Sequence, residues 1–374
     1  MYQSRIPTRS AIHYLGKAQP DLPVLFFDPV ALKDSYKRFV QGFPGLVTYA
    51  VKANDSLEVL ENLQLAGMVS FDVASPVEMK RVRMACPDAT LHYNNPIRSR
   101  SEIKQAVELG VASWSVDCLS EFDKLVDGGA SGEISVRLRL PVKGAAYDFG
   151  EKFGADPDLA VKLLRAISQA GFSPAMTFHP GTQCSDPAAW EKYIVECGEI
   201  SQRAGVRLKR LNVGGGFAAH RTGSAPDIEA IFQAIDKSVR QVFGEHLPEL
   251  ICEPGRALVA ESYQLAVRVK AIKGDSVLYL NDGIYGGMTE WRDLGESDRH
   301  VVVRSGGVLK KGPARSFTIF GPTCDSLDKI PSEISLTQSI EEEDYILIAG
   351  MGAYSTATVT AFNGYGDLLR VTLG

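Results

Sequence analysis

No CxxC pair, no HExxH or HxxxH pair and no run of about 18 apolar residues occurs in this 374-residue chain. Each absence excludes something. The six cysteines (Cys86, Cys118, Cys184, Cys197, Cys252 and Cys324) are scattered, which fits reduced thiols better than a disulfide framework or a zinc site. No metal is expected. Without a long apolar run, no membrane-crossing helix is expected either. The formal net charge is only -5, so nothing points to a nucleic-acid partner. The opening stretch, MYQSRIPTRSAIHYLG, lacks the apolar core of a signal peptide. With the thiol pattern, that makes a cytoplasmic protein the expectation. No internal repeat or low-complexity tract is visible.

What is present is a steady alternation of strand and helix patterns. VTYAVKA precedes SLEVLENLQLAG, FDVAS precedes PVEMKRVRMA, LHYNN precedes RSEIKQAVELG, and SWSVD precedes LSEFDKLVDG. SVRLRL, AMTFHP, RLNVGGG and ELICEPGRA continue the series to residue 257. Strands separated by helical patterns form parallel βαβ units, and eight of them predict an α/β fold of the (β/α)8 barrel type. A doubly wound sheet is the structural rival. After about residue 260 the helical pattern stops. YQLAVRVKAI, SVLYLND, HVVVR, SFTIFG, DYILIAG and LRVTL read as β-runs of a second, mainly β domain, sandwich- or barrel-like. PVLFFD (23–28) is a lone strand expected to join it. The expected division is a barrel over 30–260, with 1–29 and 261–374 in the β domain.

Barrel chemistry sits at the C-terminal ends of the strands. Here those ends carry Lys52, Asp72, Asn95, Asp117, Arg139, His179, Gly214 to Gly216, and Glu253 with Arg256. Each also has a plain structural reading. Lys52 closes an apolar strand in TYAVKAN; strand alternation places it with Thr48 and Ala50, either reaching solvent or held as a reactive amine. Three glycines after strand seven allow close backbone approach to a phosphate, and Gly255 with Arg256 follows strand eight. Glu253 could hold a protonated ring nitrogen or form an ion pair with Arg139. His179 could stack on a flat ring or be a satisfied structural histidine. A lysine, a phosphate cradle, a carboxylate and a histidine in one barrel mouth imply pyridoxal 5'-phosphate.

The motifs YAVKAN, FDVASPVE, NNP, KFGA, FHPGTQCSD, NVGGGF, CEPGR, NDGIYGG, GPTCDSLD and MGAYSTATVTAFNGY stand in family order along nearly the whole chain. In them the chain resembles the fold type III pyridoxal-phosphate decarboxylases, the ornithine/lysine decarboxylase group. The resemblance implies a role for each matching residue. Lys52 is similar to the lysine that bonds the cofactor, with Asp72 and Glu78 as its neighbouring carboxylates and Ala74 near the ring. Arg139 resembles the arginine behind the ring, and His179 the stacking histidine. Thr182, Gly215, Gly216, Gly255, Arg256 and Tyr354 resemble phosphate ligands, and Glu253 the partner of the ring nitrogen. GPTCDSLD implies a homodimer with shared active sites. There Cys324 donates the proton and Asp325 holds the distal ammonium of a diamino acid, with Tyr285 in the substrate set.

Asp325 favours ornithine or lysine, and hence putrescine or cadaverine as product in polyamine metabolism, over diaminopimelate. One stretch departs from the family pattern: TEWRDL, residues 289–294. Asp293 could be a second ammonium ligand. Trp291 and Arg292 are unexpected; Arg292 either points to solvent or faces the site and accepts a carboxylate. The alternatives are therefore a modified or larger basic amino acid, or a non-catalytic decarboxylase-like regulatory protein. A racemase of the same barrel type is disfavoured by Glu253, where racemases carry arginine. A small carrier barrel would lack the β domain.

Overall fold

The computed structural model describes residues 9–141 and 152–374, which fall into two compact units. One is made of Tyr36–Ala218 and Pro226–Gly255. The other takes the chain up to Ser35, Ala219–Ala225 and Arg256–Gly374.

The first unit is the barrel. Its strands run in chain order around a parallel sheet: residues 46–50, Ser70–Val73, Thr90–Tyr93, Val111–Val116, Glu133–Leu138, Ser173–Phe178, Arg210–Asn212 and Glu249–Cys252. The 46–50 segment closes it. Leu46–Val47 pairs with the last strand, Tyr49–Ala50 pairs with the second, and the Thr48 N–H donates to Cys252 O at 2.9 Å. A segment with a partner on each side leaves no open edge.

Strand register sorts the side chains. Phe71, Leu91 and Val111 are paired across one face, as are Tyr93, Trp114 and Ile134, and all are buried. The alternate positions carry Ser70, Asp72, His92, Asn94, Ser113, Ser115, Ser135, Thr177 and Asn212, also buried. Their hydrogen bonds run from strand to strand. His92 bonds Ser70 Oγ at 2.8 Å through Nε2 and Ser113 Oγ at 2.6 Å through Nδ1. The barrel thus has a polar interior, and its apolar outer surface packs under amphipathic helices. Those helices begin on side-chain caps: Ser75, Ser99, Asp156, Asp186 and Asp227 each accept from a first-turn N–H.

The second unit is mainly β. Its strand path is Val308–Lys310, His300–Arg304, Tyr345–Ala349, Tyr263–Lys273, Val277–Leu280, Ala314–Phe320, Ile334–Thr337. The lone strand of PVLFFD joins it as expected: Val24–Phe27 runs antiparallel to Tyr263–Lys273 and parallel to Leu369–Thr372. Helix Arg9–Ala18 buries Ala11 and Leu15 against Val24, Phe26, Val303 and Leu347. The opening eight residues lie outside the described residues. Among the described residues no helix is long and apolar enough to cross a membrane. The pattern after residue 260 showed no helix, yet TEWRDL forms one, Thr289–Leu294. Six residues are too few for a helical period to register.

Burial, and then the charge of Arg210, push the His92 pKa down to about 3. Between pH 6.5 and about 3 the unfolded chain therefore binds a proton that folded His92 refuses. Stability falls on acidification through that window, by up to about 1.4 kcal/mol per pH unit. His92→Gln should lose about 2 kcal/mol less than the parent chain between pH 7 and pH 4.5 in urea unfolding. Equal losses would place the acid sensitivity elsewhere.

Candidate active site

The strand carrying Lys52 is shorter than its sequence suggests. Pairing ends at Ala50, whose N–H donates to Pro254 O at 3.3 Å, and Val51–Ala53 makes one 3-10 turn. The expected strand alternation through Lys52 is thus corrected: the turn presents the lysine, which is exposed. Gly255 lies against this turn, where an added Cβ would sit 3.0 Å from Ala53 Cβ and 3.2 Å from Ala50 Cβ. The Lys52 charge is felt by four groups. It lowers the pKa of Asp72, Glu78, Glu253 and His179.

Burial opposes it at the carboxylates. Burial and then the charge of Glu253 hold Asp72 well above the usual carboxylate range, and among the described residues no group bonds its buried Oδ1. Glu78 is also raised by burial, while its Oε2 accepts from the Ala74 N–H at 2.7 Å. Glu253 is raised by burial and restrained by two amides. Asn94 donates to its Oε1 at 2.5 Å, and Asn212 donates to the same oxygen. Neither bond falls on Oε2.

Arginine placement corrects one expectation. Arg139 is exposed and lies just past the end of Glu133–Leu138, whereas Arg137 lies within that strand. Arg137 stabilises charged Glu253, and its own pKa is lowered by burial against the pull of Glu253, Asp117 and Asp72. RLRL offers two arginines of equal parity, and pairing of Arg137 with Thr177 keeps the earlier one within the strand, where the charges of Glu253 and Asp72 act on it. Asn95 is displaced in the same way: its side chain donates to Ala74 O, and Asn94 is the residue that reaches Glu253.

Two loops meet beside Glu253. Gly215 is so close that an added Cβ would lie 2.7 Å from Glu253 O and 3.3 Å from His179 Nε2. Gly216 adopts φ +83° against Gly181 O, and its own carbonyl accepts from the Cys184 N–H at 2.8 Å. Such a conformation and approach require glycine. This brings buried Thr182 to the glycine loop. His179 Nδ1 accepts from the Gly181 N–H at 3.0 Å, and burial, Lys52 and Arg137 hold its pKa well below the usual value. The imidazole is therefore neutral, with its proton on Nε2.

The remaining expected residues belong to the second unit. Arg256 lies over the Tyr354 ring at 5.0 Å, and Tyr354 has the uncommon φ of +60°. The Tyr285 hydroxyl donates to Asp325 Oδ2 at 2.5 Å. Cys324 is exposed, and its N–H donates to Asn363 Oδ1. Asp328 explains why two distant motifs belong together. Its carboxylate accepts from Ile284 N, Thr323 N and Thr323 Oγ1 at 3.0, 3.1 and 2.8 Å. It also sits where a side chain on Gly283 or Gly321 would have to go. NDGIYGG and GPTCDSLD are therefore one unit. In TEWRDL, Trp291 is buried, while Arg292 is exposed and ion-paired to Asp293 at 2.7 Å. Sequence reading missed Asn94, Asn212, Arg137 and Asp328. Only for Asn94 was there a signal, since counting by two along LHYNN puts it in phase with His92.

The sequence model of the family described as pyridoxal-dependent decarboxylase, pyridoxal binding domain, matches residues 31–260. The chain belongs to this family. It is 30% identical over 369 residues to Decarboxylase flvG of Aspergillus flavus, covering 92% of this chain and 84% of the relative. It is also 30% identical to the lysine/ornithine decarboxylase of Selenomonas ruminantium, covering 85% and 81%. The solved lysine/ornithine decarboxylase of Vibrio vulnificus, complexed with putrescine, superposes with a TM-score of 0.83 at 25% identity, covering 97% of this chain and 98% of that one. This decarboxylase uses pyridoxal phosphate, and its residues fit that cofactor. The barrel offers an exposed amine, the Asp72 Oδ1 with no donor among the described residues, a neutral imidazole and a glycine loop.

Asp328→Ala strips a buried acceptor from three donors at once. It should destabilise the second unit by about 3 kcal/mol in denaturant unfolding, since each stranded buried donor costs about 1–3 kcal/mol. A loss under about 0.5 kcal/mol, the usual range for surface substitutions, would show that the motifs are held by other contacts.

Proposed function

We propose that this decarboxylase acts on a basic L-amino acid, ornithine or lysine before others, releasing CO2 and the corresponding diamine. The observation that carries the reading is the pairing of Tyr285 with Asp325 in the second unit. The hydrogen bond from Tyr285 holds the Asp325 carboxylate below its usual pKa, so it stays charged at neutral pH and suits a distal ammonium. Names of the relatives agree in class: lysine/ornithine decarboxylase in Selenomonas and ornithine decarboxylase in Neurospora crassa.

Pyridoxal phosphate supplies the electron sink for the carbanion left when CO2 departs. Each residue has a proposed task. Lys52 would hold the cofactor through its ε-amine. Glu253 would keep the ring nitrogen protonated, its carboxylate fixed by Asn94 and Asn212 through Oε1. Arg137 and Lys52 both favour its charged form. Neutral His179 would offer a flat face to the ring without adding a cation to Lys52 and Arg137. Asp72, Ala74 and Thr182 line the same mouth. Gly215, Gly216, Gly255, Arg256 and Tyr354 serve the phosphate. Cys324 Sγ returns a proton to the α-carbon, from the partner subunit of a homodimer. Asp293 is a weaker candidate for the ammonium, because Arg292 already neutralises it.

The test is CO2 release by the cofactor-loaded chain from ornithine, lysine, arginine, diaminopimelate and larger basic amino acids. Ornithine or lysine should lead, Lys52→Ala should abolish release, and Cys324→Ala should cut it at least tenfold. Arg292→Ala frees Asp293 and should lower KM for the diamino acids several-fold with little change in kcat. Turnover of another substrate alone, or full activity in Lys52→Ala, would sink the reading.

A further inference from the structure

Glu290 is buried, yet the family resemblance gives it no task. It sits in the short helix Thr289–Leu294. Its Oε2 forms a close ion pair with Arg256 Nη1, and Arg221 Nη1 lies 3.8 Å away. The Arg256 and Glu290 side chains are only 8% and 9% exposed. A carboxylate this buried would not persist without cations, and the two guanidinium groups would repel one another without it. Arg256 is held on a second side by the Tyr354 ring at 5.0 Å. Tyr354 in turn stands on a loop fixed by Met351 N to Tyr263 O at 3.1 Å and Gly352 N to Ala260 O at 3.2 Å. Ring and carboxylate thus hold the guanidinium from two sides.

We infer that Glu290 is a positioning residue that fixes Arg256 for the cofactor's phosphate group, and so sets affinity for the phosphate ester specifically. This rests on the proposed role of Arg256 as a phosphate ligand. A guanidinium binds an oxyanion through a planar fork, so its orientation decides how many of its donors reach the ligand. Glu290 touches neither the reaction nor the ligand; its effect passes through Arg256.

The experiment titrates the cofactor-free, full-length chain with pyridoxal 5'-phosphate and, separately, with pyridoxal, following absorbance. Glu290→Ala should weaken binding of the phosphate ester about tenfold. Affinity for pyridoxal should not change. Glu290→Gln keeps an oxygen acceptor for Nη1 and should lose less, and it carries the test if the alanine variant does not fold. A parallel loss for both ligands would mark a merely structural role and overturn the inference. So would unchanged or tighter phosphate-ester binding. Arg256→Ala separates the two levels. If it leaves the ratio of the two affinities at the parent value, Arg256 is not a phosphate ligand, and the inference falls with that role. If it collapses the ratio while Glu290→Ala does not, the inference alone fails.

Discussion

Glu253 is a carboxylate buried at the end of the eighth barrel strand, beside a second buried carboxylate, Asp72. An ionised carboxylate there is tolerated only with hydrogen bonds and nearby cations. The barrel unit is arranged to provide both. Asn94, just past strand three, and Asn212 on strand seven reach Glu253, and the charges of Arg137 on strand five and Lys52 in the turn after strand one act on it. The polar interior follows from this need. An apolar barrel core would strand these groups, whereas Ser70, His92 and Ser113 continue a hydrogen-bonded lattice below them. Hydrophobic stabilisation is left to the outer face of the strands, under the helices.

Charge placement then explains why His179 is neutral. With Lys52 and Arg137 already nearby, a third cation would be buried among like charges. Its Nδ1 is committed to the Gly181 N–H, which fixes ring and tautomer together. Gly216, folded against Gly181, brings strand seven's loop onto the same turn. The site is less a set of separate residues than one electrostatic arrangement hung on eight strand ends.

Much of this was legible in the sequence because period-2 and period-3.6 patterns are local. Eight strand-helix repeats gave the barrel, and polar strand ends picked out Lys52, Asp72, His179 and Glu253. What stayed hidden depends on register, which is not local. RLRL presents Arg137 and Arg139 with the same parity, and only pairing with Thr177 tells them apart. NN presents two asparagines, and the bond to Glu253 selects the first. Asp328 looks like one more surface acid until the fold wraps two glycine-bearing loops around its carboxylate. A helix of six residues leaves no period at all, so the inward turn of Glu290 and Trp291 and the outward turn of Arg292 could not be read.

The division of labour inside TEWRDL bears on the substrate. Glu290 faces Arg256 and Arg221, while Arg292 is spent on Asp293. Of the two carboxylates expected to receive a distal ammonium, Asp293 is thus balanced within its own helix. Asp325 keeps its charge, with Tyr285 as donor and no cation bonded to it among the described residues. One uncompensated carboxylate matches one ammonium. A substrate ending in a carboxylate would meet Asp325 with like charge and would have to break the Arg292–Asp293 pair to gain a cation. A pair so exposed is weak, with a worth of about 0–1 kcal/mol. On the proposed function, it would therefore tune the choice among basic amino acids, whereas Asp325 would set the sign of the distal charge.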